Sequence, residues 1–220
     1  MASEAPPAIP SPVLPTRLKS RGRCQLMSTA HPVAHSLTEI QLFLRITPCD
    51  ACGRGPLVPA GLHDATTRRS SPERLNPPTD GDRHEKDTVR TSAACAACRR
   101  RVDFMFRLAA TPASPSGGGG APLNTSDEPS RLIDVGQWVT LFRLLMEDAD
   151  ADTDKVRSRN SRIQAGQCLT EALKFYDEPE NELPPPEAFF SEESRRRFAD
   201  APQTFSRSRL IELIARLPRA

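Results

Sequence analysis

Two C-x-x-C pairs are the feature that most limits what this chain can fold into. Cys49 and Cys52 form the first pair, and Cys95 and Cys98 form the second. In each pair the two-residue gap lets one tight turn aim both sulfurs at the same metal ion. Gly53 follows the first pair, at a position where such a turn favours a residue with positive φ. The four thiolates predict one structural Zn²⁺ per chain.

Two alternatives to a structural zinc remain open at this point. Iron in a rubredoxin-like site uses the same four thiolates, and a redox-active dithiol needs only one pair. A catalytic zinc is disfavoured because four thiolates leave no coordination position for water. We predict a cytoplasmic protein, since thiols stay reduced there and paired cysteines then favour a metal over disulfides.

Composition limits how much of the chain can be core. The chain has 220 residues, 22 prolines and a hydrophobic fraction of 37%, so much of its length is expected to lie outside a core. No apolar run approaches the roughly 18 residues of a membrane span. Prolines stand where a signal peptide would have its apolar segment. These observations predict one or two domains and no membrane partner.

The segment around the cysteine pairs is predicted to form a small sheet after one short helix. Ser36 and Glu39 form a capping box that begins the helix. Extended segments are predicted at 44–47, 55–60, 88–92 and 102–108, the last with a clear period of two. Two prolines place the segment 55–60 at the edge of the sheet.

The sequence twice predicts a strand, then a cysteine pair in a tight turn (a knuckle), then a second strand. This order resembles the zinc-ribbon superfamily over residues 44–108. The resemblance implies a ribbon fold and a structural zinc with the ligands Cys49, Cys52, Cys95 and Cys98. The chain departs from compact ribbons in the 42 residues between the pairs, where about 15–20 are usual. An inserted polar loop over 66–87 is predicted to account for this difference.

Changes in composition divide the chain into four parts. Residues 1–35 are predicted to be a disordered Pro/Arg-rich tail, and residues 36–110 the zinc-ribbon domain. Residues 111–130 are predicted to be a flexible Gly/Pro/Ser-rich linker, and residues 131–220 a small helical domain. The predicted fold class is therefore α+β, with a zinc ribbon of short antiparallel strands joined by a linker to about four helices.

Apolar periodicity and capping residues carry the prediction for the helical domain. Asp134 and Gln137 form a capping box before the most apolar helix, whose buried face includes Trp138. Cys168 lies on the apolar face of the next helix, which favours a buried thiol over a nucleophile. Cys24 has no cysteine neighbour in the sequence.

Two runs of charged residues suggest a calcium site and a nucleic-acid site, but the residues in and around each run disfavour both. Counting a calcium loop from Asp148 puts Thr153 where glycine is required and Arg159 where glutamate is required, which favours a solvated loop. Arg99, Arg100 and Arg101 follow the second cysteine pair and form a weak candidate nucleic-acid site. No aromatic side chains are interleaved with these arginines for base stacking, so the sequence favours a solvated turn there.

The sequence contains no phosphate-binding loop, nucleophile elbow or zinc-protease motif. We therefore expect a protein that is not an enzyme, namely a zinc-containing interaction or adaptor module with a protein partner. Two alternatives stay open. One is a nucleic-acid-binding ribbon that uses Arg99–Arg101, and the other is an accessory subunit of an enzyme complex.

Overall fold

A computed structural model describes residues 31–63, 88–109, 123–124 and 126–219. Residues 1–30 of the predicted tail, the predicted loop 66–87 and linker residues 111–122 lie outside the described residues. The described elements are β1 (Val33–Ala34), α1 (Leu37–Ile46), β2 (Leu57–His63), β3 (Thr88–Cys95), β4 (Arg101–Leu108), α2 (Val135–Ala151), α3 (Lys155–Leu173), α4 (Glu192–Asp200) and α5 (Arg207–Ala215). Short 3₁₀ helices at Pro186–Ala188 and Pro202–Phe205 flank α4. The chain is α+β, as predicted.

The four described strands form one mixed sheet in the order β1-β4-β3-β2. Strands β2, β3 and β4 are antiparallel, as predicted, and β2 lies at an edge. Strand β1 is parallel to β4, and Ala34 is fully buried. The predicted tail therefore extends too far at residues 33–35, because a two-residue strand leaves no periodicity in the sequence. The backbone of β4 secures β1, since Arg107 donates its N–H to Pro32 O at 2.9 Å.

Helix α1 begins where the sequence predicts and ends later. The hydroxyl of Ser36 accepts the N–H of Glu39 at 3.0 Å, which confirms Ser36 as the N-cap. The predicted capping box is only half formed, because the Glu39 carboxylate contacts His35 and Ser130 instead. Helical bonding continues until the N–H of Thr47 donates to Phe43 O at 3.0 Å. The predicted strand over 44–47 is therefore wrong, and a helix leads into the first cysteine pair. Pro48 then stops the helix, because the residue before a proline is pushed towards extended backbone.

A buried polar network joins α1 to the segment before α2. The Glu39 carboxylate is buried and accepts the His35 N–H and the Ser130 hydroxyl, each at 2.5 Å. The Ser130 oxygen in turn accepts the N–H of Ile133 at 2.9 Å. The sequence assigned Ser130 to the flexible linker, yet it is buried, as is Leu123.

Lys174, at the C-terminal end of α3, also contacts the segment before α2. The Lys174 ammonium donates to Ser126 O at 2.8 Å and to the carboxylate of Glu171 at 2.9 Å. Burial raises the pKa of Glu171, although its hydrogen bond to Lys174 opposes that shift. The sequence gives no sign of the contact between Lys174 and Ser126, because the two residues are 48 positions apart.

The strands and the helices share one hydrophobic core in the described residues. Its fully buried members from the N-terminal part include Ile40, Leu44, Val89 and Phe106, and those from the C-terminal part include Ile133, Trp138, Leu141, Leu169 and Leu210. Arg45 of α1 also forms an ion pair with Asp148 of α2. The division into two domains at 111–130 stays a prediction, but the two parts are in contact.

Helices α2 and α4 meet at a shared polar cap. Asp134 accepts the N–H of Gln137 at 2.7 Å, and the Gln137 side chain accepts the N–H of Asp134 at 2.9 Å, which confirms the capping box. The other carboxylate oxygen of Asp134 accepts the N–H of Ser191 at 2.9 Å. Gly136 allows this approach, because an added Cβ would lie 2.5 Å from the hydroxyl of Ser194.

We expect Ser130→Ala to destabilise the fold by about 1–3 kcal/mol. The substitution removes the hydroxyl that donates to the buried Glu39 carboxylate, and a buried charge that loses a partner bears its full desolvation cost. Urea denaturation of the two proteins would measure the difference. Ser208→Ala removes an exposed hydroxyl that donates to Glu182 and should change stability by less than about 0.5 kcal/mol. Equal losses for the two variants would contradict this role of Ser130.

Candidate metal centre

Three backbone features bring the two cysteine pairs together. Helix α1 ends at Ile46, so its C-terminal end fixes the position of the first cysteine pair. The register of β2 and β3 places Leu57 opposite Cys95. The N–H of Ala96 then donates to Pro56 O at 2.9 Å, which fastens the second pair to the residues that follow the first.

The four sulfurs have the spacing of a tetrahedral metal site. The Sγ atoms of Cys49 and Cys98 are 3.7 Å apart, and those of Cys52 and Cys95 are also 3.7 Å apart. All four sulfurs lie within 4.8 Å of one another. Tetrahedral coordination with Zn–S bonds of about 2.3 Å requires sulfurs about 3.8 Å apart. The four cysteines can therefore bind one metal ion, and the sulfur donor set fits zinc.

The two cysteine pairs form knuckles with the same backbone hydrogen bonds. In the first, Gly53 donates its N–H to Cys49 O at 2.7 Å, and Cys49 donates its N–H to Arg54 O at 2.6 Å. In the second, Arg99 donates to Cys95 O and Cys95 donates to Arg100 O, both at 2.9 Å. Gly53 has φ 67° and Arg99 has φ 63°. Arg99 therefore occupies the left-handed position that glycine fills in the first knuckle.

The cysteines differ in exposure and in acidity. Cys49 and Cys95 are buried, Cys52 is half-buried and Cys98 is exposed. The pKa of Cys95 is lowered to about 7, chiefly because the backbone N–H of Cys98 hydrogen-bonds to its sulfur. For Cys98 the backbone N–H of Arg100 lowers the pKa, but desolvation and hydrogen bonds to the other three sulfurs together raise it to about 11. In the metal-free cluster at neutral pH, the Cys98 thiol therefore keeps its proton, whereas the Cys95 thiol is close to its titration midpoint.

We expect zinc affinity to rise with pH. The thiol of Cys98 has a pKa of about 11 in the metal-free cluster, so zinc must displace its proton at neutral pH. Each displaced proton increases the apparent affinity by about tenfold per pH unit. Competition against a chromophoric chelator from about pH 6 to about pH 8 would measure this slope. An affinity that is independent of pH would contradict the proposed thiolate ligands.

We expect Arg99→Gly to stabilise the zinc-loaded protein by about 0.5–1 kcal/mol, because glycine adopts positive φ at little steric cost. The matched substitution Gly53→Ala should cost about 1 kcal/mol. A Cβ at Gly53 would have no atom within 4 Å, so that loss reports backbone conformation alone. Urea denaturation at saturating zinc measures both changes. A loss of stability in Arg99→Gly would show that the arginine side chain itself stabilises the knuckle.

The other predicted site residues contribute no sulfur ligand to this centre. Arg99, Arg100 and Arg101 are all exposed, and Arg101 begins β4. The sequence analysis missed Arg54, although its place five residues after Cys49 matches that of Arg100 after Cys95. Cys168 is fully buried, as predicted, and burial raises the pKa of its thiol. Cys24 lies outside the described residues.

The acidic run after the apolar part of α2 is neutralised by arginines. Arg162 contacts Asp150 at 2.6 Å, and Arg157 contacts Asp152 at 2.9 Å. The run extends the helix as far as Ala151 before the short loop begins. The prediction of a solvated loop over the whole run is therefore wrong for residues 147–151, which belong to α2. The loop begins only at Asp152.

Comparisons with protein-family models, with curated proteins and with solved structures find no match for this chain. None of the helices in the described part of the chain combines the length and apolar character needed to cross a membrane. The resemblance to zinc ribbons therefore rests on the spacing and the geometry of four cysteines. Those cysteines form a candidate metal-binding centre within an α+β protein.

Proposed function

We propose that the chain is a non-enzymatic adaptor of the cytoplasm, in which one structural Zn²⁺ shapes a surface that binds a partner protein. The sulfur geometry carries this proposal, because two pairs of sulfurs at 3.7 Å fit one tetrahedral ion. Four protein ligands fill the coordination shell, so the ion has no position for a substrate or an activated water. Its role is then to hold structure.

The small size of the sheet supports a structural role for the metal. Few of the side chains described for β2, β3 and β4 are fully buried, among them Val89, Ala93 and Phe106. A sheet this small gains little from burial, and small domains commonly need a metal or disulfides to fold. Zinc supplies folding energy at the end of the sheet that carries the cysteines, and it fixes the exposed knuckles in one conformation.

Exposed arginines favour nucleic acid as the second candidate partner. Arg99, Arg100 and Arg101 make no ion pair within the described residues, so their charge is available to phosphate. A nucleic-acid role would show as binding that weakens steeply with salt. The adaptor proposal predicts instead a protein complex of fixed stoichiometry.

Affinity capture on zinc-loaded protein, followed by reconstitution with the purified partner, tests the adaptor proposal. We expect one protein to form a complex with the wild type and with Cys168→Ala, which removes a buried thiol outside the centre. Cys95→Ser should lose both zinc and the partner. A partner that binds Cys95→Ser as tightly as the wild type would place the binding surface elsewhere. Recovery of nucleic acid alone would favour the second candidate.

A further inference from the structure

Three exposed arginines surround the candidate metal centre. Arg54 and Arg100 occupy the same position in the two knuckles, since each accepts the N–H of a leading cysteine through its carbonyl. The carbonyl of Arg54 also lies 3.8 Å from the Cys52 sulfur and 3.9 Å from the Cys95 sulfur. Arg99 precedes Arg100 and donates its N–H back to Cys95. The three side chains therefore start from one small, metal-braced unit.

The conformation of Arg99 points to a role for its side chain. The first knuckle uses Gly53 at this position, and the hydrogen bonds of the second are the same. Backbone geometry alone thus favours glycine in both knuckles. A residue that holds an unfavourable conformation is a reason to look for function in its side chain.

The knuckle arginines lack the carboxylate partners that several arginines of the helices have. On the helices, Arg157, Arg162 and Arg197 each contact a carboxylate at 2.9 Å or less. Within the described residues, neither Arg54 nor any of Arg99–Arg101 makes an ion pair, and all four are exposed. Four guanidinium groups near the centre therefore remain open to an external anion.

A small apolar patch adjoins these arginines on the outer face of the sheet. Arg101 of β4 pairs with Ala94 of β3, and Ala94 pairs with Val58 of β2. Side chains that are directly opposite in a sheet share a face. Val58 is 51% exposed there. The surface thus combines clustered positive charge with a small apolar contact.

We propose that Arg54, Arg99, Arg100 and Arg101, together with Val58, bind an acidic segment of a partner protein. This inference rests on the proposed adaptor function and names the surface and the chemistry of the partner. Guanidinium groups bind carboxylates through paired hydrogen bonds, and an apolar residue of the segment packs on Val58.

Two observations favour an acidic peptide over a nucleic acid. The large apolar side chains exposed on the described outer face of the sheet are Val58 and Met105, and neither stacks on bases as an aromatic ring does. A long polyanion would also reach the helical part, where residues 127–220 carry 18 acidic and 14 basic side chains. A short acidic segment avoids that repulsion.

Fluorescence anisotropy on the full, zinc-loaded chain tests the surface. The probe is a fluorescein-labelled peptide of repeated Glu-Glu-Leu, and a labelled oligothymidine is the comparator. We expect Arg54→Ala, Arg99→Gly and Arg100→Ala each to weaken peptide binding by about tenfold, as the loss of one charged contact does. Arg195→Ala and Arg209→Ala are the matched controls, because both arginines are exposed on helices and unpaired within the described residues. Both should bind the peptide like the wild type.

Arg99→Gly separates an effect on peptide binding from an effect on folding. It removes the guanidinium group, and glycine favours the positive φ that the backbone adopts at this position. Stable, zinc-loaded Arg99→Gly with weakened peptide binding is the expected result. Wild type that does not bind the peptide, or variants that bind it equally well, would overturn the proposal. Zinc loss in the arginine variants would show that these side chains merely offset the charge of the thiolates. Oligothymidine bound more tightly than the peptide would replace the acidic partner with nucleic acid.

Failure of the proposed arginine surface can be distinguished from failure of the adaptor proposal. A natural partner that depends on zinc but still binds the three arginine variants would refute this surface and leave the adaptor function intact. A chain that binds the acidic peptide but forms no zinc-dependent protein complex would refute the adaptor function. Measuring zinc content on every sample keeps the two results apart.

Discussion

Cys95→Ser abolishes metal binding and unfolds β2, β3 and β4, the largest effect expected of any single substitution in this chain. Structural zinc contributes on the order of 10 kcal/mol of apparent binding energy, and in a domain of this kind that is folding energy. The three strands contribute only a small part of the shared core, so the metal is expected to supply much of their stability. Hydrogen exchange along β3, combined with zinc analysis, would measure the loss.

The control for this substitution is Cys168→Ala, which should keep its zinc and its slow exchange in β3. Helices α2 and α3 should keep their helical circular dichroism in Cys95→Ser, but with lower stability, because α1 contributes Ile40 and Leu44 to the shared core. Protected amides in β3 of zinc-free Cys95→Ser would show that the sheet folds without metal.

Trp138→Ala costs about 3–5 kcal/mol, the second largest expected effect. The indole is fully buried in α2, and truncating a buried aromatic removes its transfer energy and leaves a cavity. That loss is a large fraction of the total stability of a small protein. Urea denaturation followed by far-ultraviolet circular dichroism would measure it, since the variant has no tryptophan to report fluorescence.

Trp138→Phe is the informative control. Within the part of the chain that the structure describes, the buried indole N–H of Trp138 has no hydrogen-bond partner. Phenylalanine therefore removes an unsatisfied donor while keeping much of the apolar volume. We expect Trp138→Phe to lose clearly less stability than Trp138→Ala. A loss below about 1 kcal/mol in Trp138→Ala would contradict its place in the core.

The structural features that depend on residues close together in the sequence were predicted from local sequence patterns. The caps at Ser36 and Asp134 were correct, because each cap needs only a side chain and an N–H three residues away. The edge position of β2 followed from its prolines. The four cysteines that cluster in the structure were predicted from spacing, because a two-residue gap lets one tight turn aim both sulfurs of a pair at the same point.

Contacts between distant residues could not be predicted in this way. Glu39 completes no capping box, because its carboxylate bonds to Ser130, 91 residues away. Strand β1 exists only because β4 offers hydrogen bonds to two residues of an otherwise featureless segment. The match between Arg54 and Arg100 was visible in the numbering, but its meaning required the backbone angles of both knuckles.

Native mass spectrometry of protein purified without chelators tests the central claim most directly. The account predicts a mass increase that corresponds to one Zn²⁺ per chain. Cys168→Ala should carry the same ion, and Cys95→Ser should carry none. Wild-type protein that binds neither zinc nor iron, or that holds Cys49, Cys52, Cys95 and Cys98 in disulfides when purified under reducing conditions, would contradict a metal centre at this site.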